Sequence, residues 1–279
     1  MDTERLYFSS FPIITDDEFV LDNTIAIAQE KERNLNVFYD TLAKKLFFVN
    51  DTHRFVIRGE SIARRGFWVA KKRYALHKIY DLEKNMPADK LTIKGLDVVR
   101  SSFPKAFSKF MSDTLMSILK NAKKEEIDKA ILELVESLPK IPYVEVARNT
   151  SVQNIHEYDD KKIKDLALFK KGTPMHVKSC IVYNRLLKKL GLDKNHSPIS
   201  SGDKIKYVIL KQNPYGIDTI AFKGYDDPKE ITDLIEQYTD HRAMFEAELE
   251  GKLEDFYIAL NWGSLPTKMN QNAEQFFSF

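Results

Sequence analysis

Glycine is scarce in this sequence. Ten occur among 279 residues, at positions 59, 66, 95, 172, 191, 202, 216, 224, 251 and 263, and none lies within four residues of another. A phosphate-cradling loop needs closely spaced glycines so that backbone N–H groups can approach the anion, which excludes Walker-type ATPase and dinucleotide-binding readings. Cysteine is scarcer still: Cys180 alone allows neither an intrachain disulfide nor a cysteine-based zinc site. The six histidines show no HExxH spacing, and no GxSxG elbow is present. No apolar run approaches the ~20 residues that cross a bilayer. The opening Met1-Asp2-Thr3-Glu4-Arg5 has neither the basic nor the apolar region of a signal peptide. The expectation is a soluble, intracellular protein with no membrane association.

Net charge is also nearly absent, since 43 Lys and Arg stand against 41 Asp and Glu. The average hides segregation. Between Arg54 and Lys78 the charges are Arg54, Arg58, Arg64, Arg65, Lys71, Lys72, Arg73 and Lys78, opposed by Glu60 alone, and Phe67, Trp68, Tyr74 and Tyr80 are interleaved with them. A second basic series runs through Lys161, Lys162, Lys164, Lys170, Lys171, Lys178, Arg185, Lys188 and Lys189. Residues 225–256 are acidic, with Asp226, Asp227, Glu230, Asp233, Glu236, Asp240, Glu246, Glu248, Glu250, Glu254 and Asp255. A neutral protein arranged this way can hold a polyanion on one face and repel it from another. The first cluster favours DNA or RNA; the second fits either a polyanion surface or solvated helix faces.

The apolar pattern changes along the chain. Residues 5–14 read as a strand and Phe19 to Phe38 as a helix, while 53–58 and 67–80 read as paired strands and 89–94 as a further one. Helical spacing then takes over. Pro104 opens a helix carrying Phe107, Phe110, Met111, Leu115, Ile118 and Leu119, and a second runs from Glu125 to Leu138 before Pro139 and Pro142. A third covers Pro174 to Leu190, a strand pair falls within 204–222, and helices follow at about 229–237 and 241–260. The fold class is α+β: a strand-rich first third and a mostly helical remainder.

Lys71-Lys72-Arg73-Tyr74-Ala75-Leu76, preceded by Gly66-Phe67-Trp68 and followed by Ile93-Lys94-Gly95-Leu96-Asp97-Val98-Val99-Arg100-Ser101-Ser102-Phe103-Pro104, resembles the palm-to-thumb junction of family B DNA polymerases, most closely the replicative type of T-even-like phages. Asn154-Ile155, Tyr158-Asp159, Thr173-Pro174-Met175-His176-Val177-Lys178, Tyr183-Asn184-Arg185, Asn213-Pro214-Tyr215-Gly216 and Glu230-Ile231-Thr232-Asp233-Leu234-Ile235 resemble the thumb of those enzymes in the same order. The resemblance implies the C-terminal part of a palm over residues 1–90, with antiparallel strands and a helix. It also implies a mostly helical thumb over 91–263 and a tail over 264–279.

In such enzymes the Lys-Lys-Arg-Tyr segment lies against the primer strand. Lysines that reach minor-groove acceptors shared by all base pairs can hold a paired terminus without reading its sequence. The resemblance therefore gives Lys71, Lys72 and Arg73 that role, with Tyr74 packed beside them. It gives Lys94, Arg100, Ser101 and Ser102 the primer backbone, and Lys171, His176 and Lys178 duplex phosphates. Ser102 also suits an N-cap ahead of Pro104.

Asp2-Thr3-Glu4-Arg5 resembles the palm motif DTDS, whose second acid helps hold two divalent metals. By that likeness Asp2 and Glu4 are catalytic and Glu4 is a Mg2+ ligand, in a two-metal site shared with a partner chain. Glu4 and Arg5 depart from the motif, which leaves open a vestigial overlap or a chance match. The exonuclease motifs, the fingers lysine and a DxxSLYP-type string are absent from these residues. The expectation is accordingly a split polymerase subunit, inactive alone, that binds primer–template and completes its site with an N-terminal chain in the cytoplasm of an infected bacterial host. The alternative is a non-catalytic, clamp-associated accessory protein. Gln275, Phe276, Phe277 and Phe279 resemble the tail by which such polymerases bind a sliding clamp, and a terminal segment folded onto its own thumb is the other reading.

Overall fold

The computed structural model describes residues 7, 21–49, 55–159 and 165–267. The order of elements is α1 (Leu21–Leu46), β1 (Ser61–Ala70), β2 (Arg73–Asp81), β3 (Met86–Lys94), α2 (Lys105–Leu119), α3 (Lys124–Ser137), α4 (Tyr143–Val146), β4 (Arg148–Ser151), α5 (Ile155–Tyr158) and α6 (Met175–Lys189). Then come β5 (Lys204–Ile209), β6 (Thr219–Phe222), α7 (Lys229–Tyr238), α8 (His241–Phe245), a π turn (Glu246–Glu250) and α9 (Gly251–Ala259). The described residues form two three-stranded antiparallel sheets, β1-β2-β3 and β4-β5-β6, so the chain is α+β as expected. Among the described residues no helix is long and apolar enough to cross a membrane.

Two compact units result, one from residues 1–66 and 76–92, the other from 67–75 and 93–279. In the first, α1 buries only Ala43 and is tied down by polar side chains instead. Asn36 donates from Nδ2 to the Ile57 carbonyl and accepts from the Ile57 N–H, both at 2.9 Å, while Glu32 accepts from the Gly59 N–H at 2.8 Å. These bonds explain a correction. Residues 55–58, the described part of the 53–58 range expected to form a strand, lie outside any strand, because Asn36 of α1 takes both backbone groups of Ile57 and Glu32 takes the N–H of Gly59 just beyond. The helix also runs past its expected end at Phe38 to Leu46, since no glycine or proline interrupts the following residues. The expected strand over 5–14, apart from Tyr7, lies outside the described residues.

The second unit is built around α6. That helix buries Val177, Ser179, Cys180, Ile181, Val182, Tyr183, Leu186 and Leu187, too many for one face, and so it is a core helix. Strand β6, buried at all four positions, covers it, and the Ser179 and Thr219 hydroxyls bond to each other at 2.7 Å. Helix α2 buries Phe107, Met111, Thr114, Leu115 and Leu119 at three- and four-residue spacing. Strand β4 pairs antiparallel with β5, Arg148 opposite Tyr207, and β5 pairs with β6, Tyr207 opposite Ala221.

Candidate nucleic-acid interface

The 67–80 segment, expected as one strand, is two: β1 ends at Ala70 and β2 begins at Arg73. Lys71 and Lys72 form the turn, and Lys72 takes the left-handed conformation at φ 63°. Glycine or asparagine normally marks such a turn, and neither is present to announce it. Aromatics anchor the tip. Phe67 is buried edge-on against Phe256, ring centroids 5.4 Å apart, and buried Tyr74 stacks on Trp68 at 6.1 Å. With the rings beneath them fixed, Lys71 and Lys72 are left exposed. Arg73 points elsewhere, donating from Nη2 to Asp255 of α9 at 3.2 Å.

Lys94 ends β3 and is exposed. A short 3-10 turn, Asp97–Val99, then sets the next candidates. Arg100 pairs with Asp97 at 2.9 Å and keeps 65% of its side chain in solvent, which leaves it able to exchange that partner for a phosphate. Lys252 of α9 stands 3.8 Å from the other Asp97 oxygen and 5.2 Å above the Phe103 ring, bracing the segment from below. Asn149 holds its far end: its side-chain amide donates to the Ser101 carbonyl at 3.2 Å and its backbone N–H to the Ser102 carbonyl at 3.1 Å. Ser102 does not cap α2; Pro104 occupies the N-cap position and no side chain bonds there.

The thumb candidates are more scattered. Lys171 is exposed in a turn, whereas Lys178 leans over the Phe169 ring, 5.6 Å from its centre. His176 is half-buried, and its pKa is pushed below 6.5, by burial first and by the Arg148 charge second. At neutral pH it is therefore a hydrogen-bonding ring rather than a cation. Arg148 is fixed by Glu248, its Nη1 lying 3.0 and 2.9 Å from the two carboxylate oxygens. The structure thus brings Lys71, Lys72, Arg73, Tyr74, Lys94, Arg100, Ser101 and Ser102 into one braced region. No hydrogen bond or ion pair among the described residues joins Lys171 or Lys178 to the 71–74 turn.

Sequence reasoning missed the bracing residues Arg148, Asn149, Lys252 and Asp255. Arg148-Asn149-Thr150-Ser151 has no apolar alternation to mark it as a strand, and Lys252 and Asp255 look like ordinary helix-surface charges. A cleft of about 640 Å³ lined by residues including Glu32, Arg58 and Leu82, and a groove of about 630 Å³ on α2 and α3, contain none of the candidates. An exposed turn and an exposed strand end suit a rod-like ligand better than a small molecule. Among the described residues no group of three His, Cys, Asp or Glu could hold a metal ion, and Asp2 and Glu4 lie outside them, as do Gln275, Phe276, Phe277 and Phe279.

Known proteins are similar to this sequence over about two thirds of its length. The chain is 32% identical over 184 residues to the DNA-directed DNA polymerase of Enterobacteria phage T4, a match covering 65% of the chain and 19% of that protein. It is 29% identical over 200 residues to the DNA-directed DNA polymerase of Escherichia phage RB69, covering 70% of the chain and 21% of that protein. With the DNA polymerase of Thermococcus gorgonarius the identity is 31% over 186 residues, 66% of the chain and 21% of that protein. The chain thus spans about a fifth of the length of the curated relatives it matches. The model of DNA polymerase family B matches residues 36–256, most of the sequence. This chain belongs to DNA polymerase family B.

Proposed function

We propose that this chain is the C-terminal subunit of a split DNA-directed DNA polymerase, supplying the primer-gripping end of the palm over 1–90 and the thumb over 91–263. The observation that carries the reading is the exposed Lys71–Lys72 turn, seated on buried aromatics beside Lys94 and Arg100, in a family B chain. Lys71 and Lys72 hold the primer terminus through minor-groove acceptors, and Lys94, Arg100, Ser101 and Ser102 hold its backbone. Arg73 and Tyr74 support the turn. Lys171, His176 and Lys178 touch the duplex further back. Asp2 and Glu4 are the residues that would help to hold a pair of Mg2+ ions, which would supply activation of the primer 3′-hydroxyl and charge stabilisation for phosphoryl transfer. Asp2 and Glu4 contribute to that site together with an N-terminal partner chain carrying the exonuclease, the fingers and the rest of the palm. The tail over 264–279 docks Gln275, Phe276, Phe277 and Phe279 on a sliding clamp, in the cytoplasm of an infected bacterium.

Primer extension tests the reading. The purified chain is expected to bind primer–template weakly and to extend it only when mixed with the partner chain; robust extension by this chain alone refutes the proposal. The departure of Glu4-Arg5 from the palm motif favours one rival, a non-catalytic DNA-binding or clamp-associated accessory protein. Glu4→Ala in the mixed complex tests the metal role: lost turnover supports it, and unchanged turnover supports the rival or a partner chain that carries the complete metal motif itself.

A further inference from the structure

Gly95 follows Lys94 directly and sits at φ 67°. A Cβ placed on it would lie 2.1 Å from the Lys72 carbonyl oxygen, 3.0 Å from the Lys72 carbonyl carbon and 3.3 Å from Arg73 Cγ. The first two atoms are backbone, so no side-chain rotation relieves the clash: either the turn or the 93–96 segment must move. The contact is also specific. Gly172, Gly191, Gly202, Gly216, Gly224 and Gly263 share a positive φ, yet a Cβ on any of them meets nothing within 4 Å. Those six need glycine for backbone conformation alone, whereas Gly95 needs it for conformation and for space.

The atom that Gly95 admits belongs to the residue with most at stake. Lys72 is itself left-handed at φ 63°, a conformation that costs a lysine free energy and persists only where neighbours hold it. Its carbonyl is seated on the Gly95 backbone, Arg73 on its far side is tethered to Asp255, and Tyr74 is stacked on Trp68. The turn is therefore set from two sides, by the hairpin and by the strand end that presents Lys94.

We infer that Gly95 is a positioning residue for primer binding: by admitting the Lys72 carbonyl, it fixes the Lys71–Lys72 turn relative to Lys94 and Arg100, so that the four cations engage one strand together. The inference rests on the reading of that turn as a primer grip, and its test separates the two.

Affinity of the full chain for a primer–template duplex is measured by fluorescence anisotropy across a salt series. Four variants are compared: Gly95→Ala, the double variant Lys71→Ala/Lys72→Ala, the triple combination, and Gly191→Ala. The last imposes a similar backbone strain at φ 70° with no clash. Gly95→Ala is expected to weaken binding about tenfold, the scale of one lost charge-assisted contact, and to flatten the salt dependence. Gly191→Ala should bind like the unaltered chain. The triple variant should bind no worse than the lysine double variant, because Gly95 acts through those lysines. Additive losses, or a folded Gly95→Ala protein with unaltered affinity, overturn the inference. If the lysine double variant binds normally, the primer-grip reading falls first and carries the inference with it. Should Gly95→Ala fail to fold, one glycine inserted after Gly95 releases the same contact without adding a side chain. Weakened binding then supports the inference and normal binding overturns it.

Discussion

Glu248 is a carboxylate with little water around it, 4% exposed, and Arg148 is the partner that makes its burial tolerable. Removing the arginine strands a charge, whereas removing both charges strands nothing. Arg148 keeps 41% of its side chain in solvent, which moderates the effect, so Arg148→Ala is expected to cost about 2 kcal/mol in urea unfolding. Adding Glu248→Gln to Arg148→Ala should recover part of that loss. His176, close enough to feel the Arg148 charge, supplies a pH test. Its folded pKa lies below the ordinary 6.5, so the fold favours the neutral ring. The stability it contributes is complete above pH 6.5 and is lost as pH falls below that value. His176→Gln should therefore narrow the stability difference between pH 7.5 and pH 5.5, as read from urea midpoints; an unchanged difference would exclude the histidine as its source. Tyr183 presents the opposite case, a buried hydroxyl that makes no hydrogen bond of standard geometry among the described residues, although burial and the neighbouring Asp227 carboxylate push its pKa up. The nearby Asp227 carboxylate already accepts from the Lys223 and Gly224 N–H groups. Tyr183→Phe is expected to be neutral or to stabilise by up to about 1 kcal/mol in the same assay.

Between His241 and Ala259 the buried residues Phe245, Leu249, Leu253 and Tyr257 recur at a constant spacing of four. A regular α-helix drifts about 40° at each such step, enough to carry Tyr257 well off the core face. The π turn over Glu246–Glu250 holds one extra residue and absorbs that drift, keeping Met244 and Phe256 on the packed side together. Deleting the exposed Ala247 should convert the π turn to α-helix with α8 and α9 still in phase, and cost no more than about 2 kcal/mol. Inserting one alanine after Gly251 should instead swing Leu253, Phe256 and Tyr257 about 100° away from the core and abolish cooperative thermal unfolding. Equal effects of the two changes would refute the phasing argument. At this scale the sequence was readable where burial imposes a period. Helices α2, α3, α6 and α7 and strands β5 and β6 stand close to where their apolar spacing put them. The π turn was not readable, because a spacing of four is compatible with a helix and gives no sign of its extra residue. Strand β4 was not readable either, since four polar residues paired along one edge carry no alternation. Nor was the Lys71–Lys72 turn, held by Gly95 twenty-three residues further on rather than by turn chemistry of its own.

Over the whole molecule, the balance of 43 basic and 41 acidic residues conceals how differently the two sets are used. Several acids of the 225–256 region are bound internally: Asp227 to backbone N–H groups, Asp240 to the Ala243 N–H at the start of α8, Glu248 to Arg148 and Asp255 to Arg73. They position basic residues as much as they repel a polyanion. The candidate site was legible in its lysines, whose strings resemble a known junction, and illegible in the acids and amides that hold them. Those partners are distant in sequence, Arg73 from Asp255 and Arg148 from Glu248, and no local pattern connects them. A quantitative consequence follows from counting cations that have no internal duty or only an exposed one. Lys71 and Lys72 are proposed for minor-groove acceptors, whereas the cations proposed for the primer backbone are Lys94 and Arg100, which can leave Asp97, and those proposed for duplex phosphates further back are Lys171 and Lys178. Each phosphate neutralised by such a cation contributes about −0.9 to the slope of log affinity against log salt on duplex DNA, which sets an expected slope of roughly −3 to −4. Anisotropy titrations between about 50 and 200 mM salt measure it. A slope near zero would mean that net charge, not its placement, governs binding, and would remove the electrostatic basis of the interface. A slope about half as steep again would bring in the exposed thumb cations Lys170 and Lys188, and their replacement by alanine should then return it to the value set by those four phosphate-contacting residues.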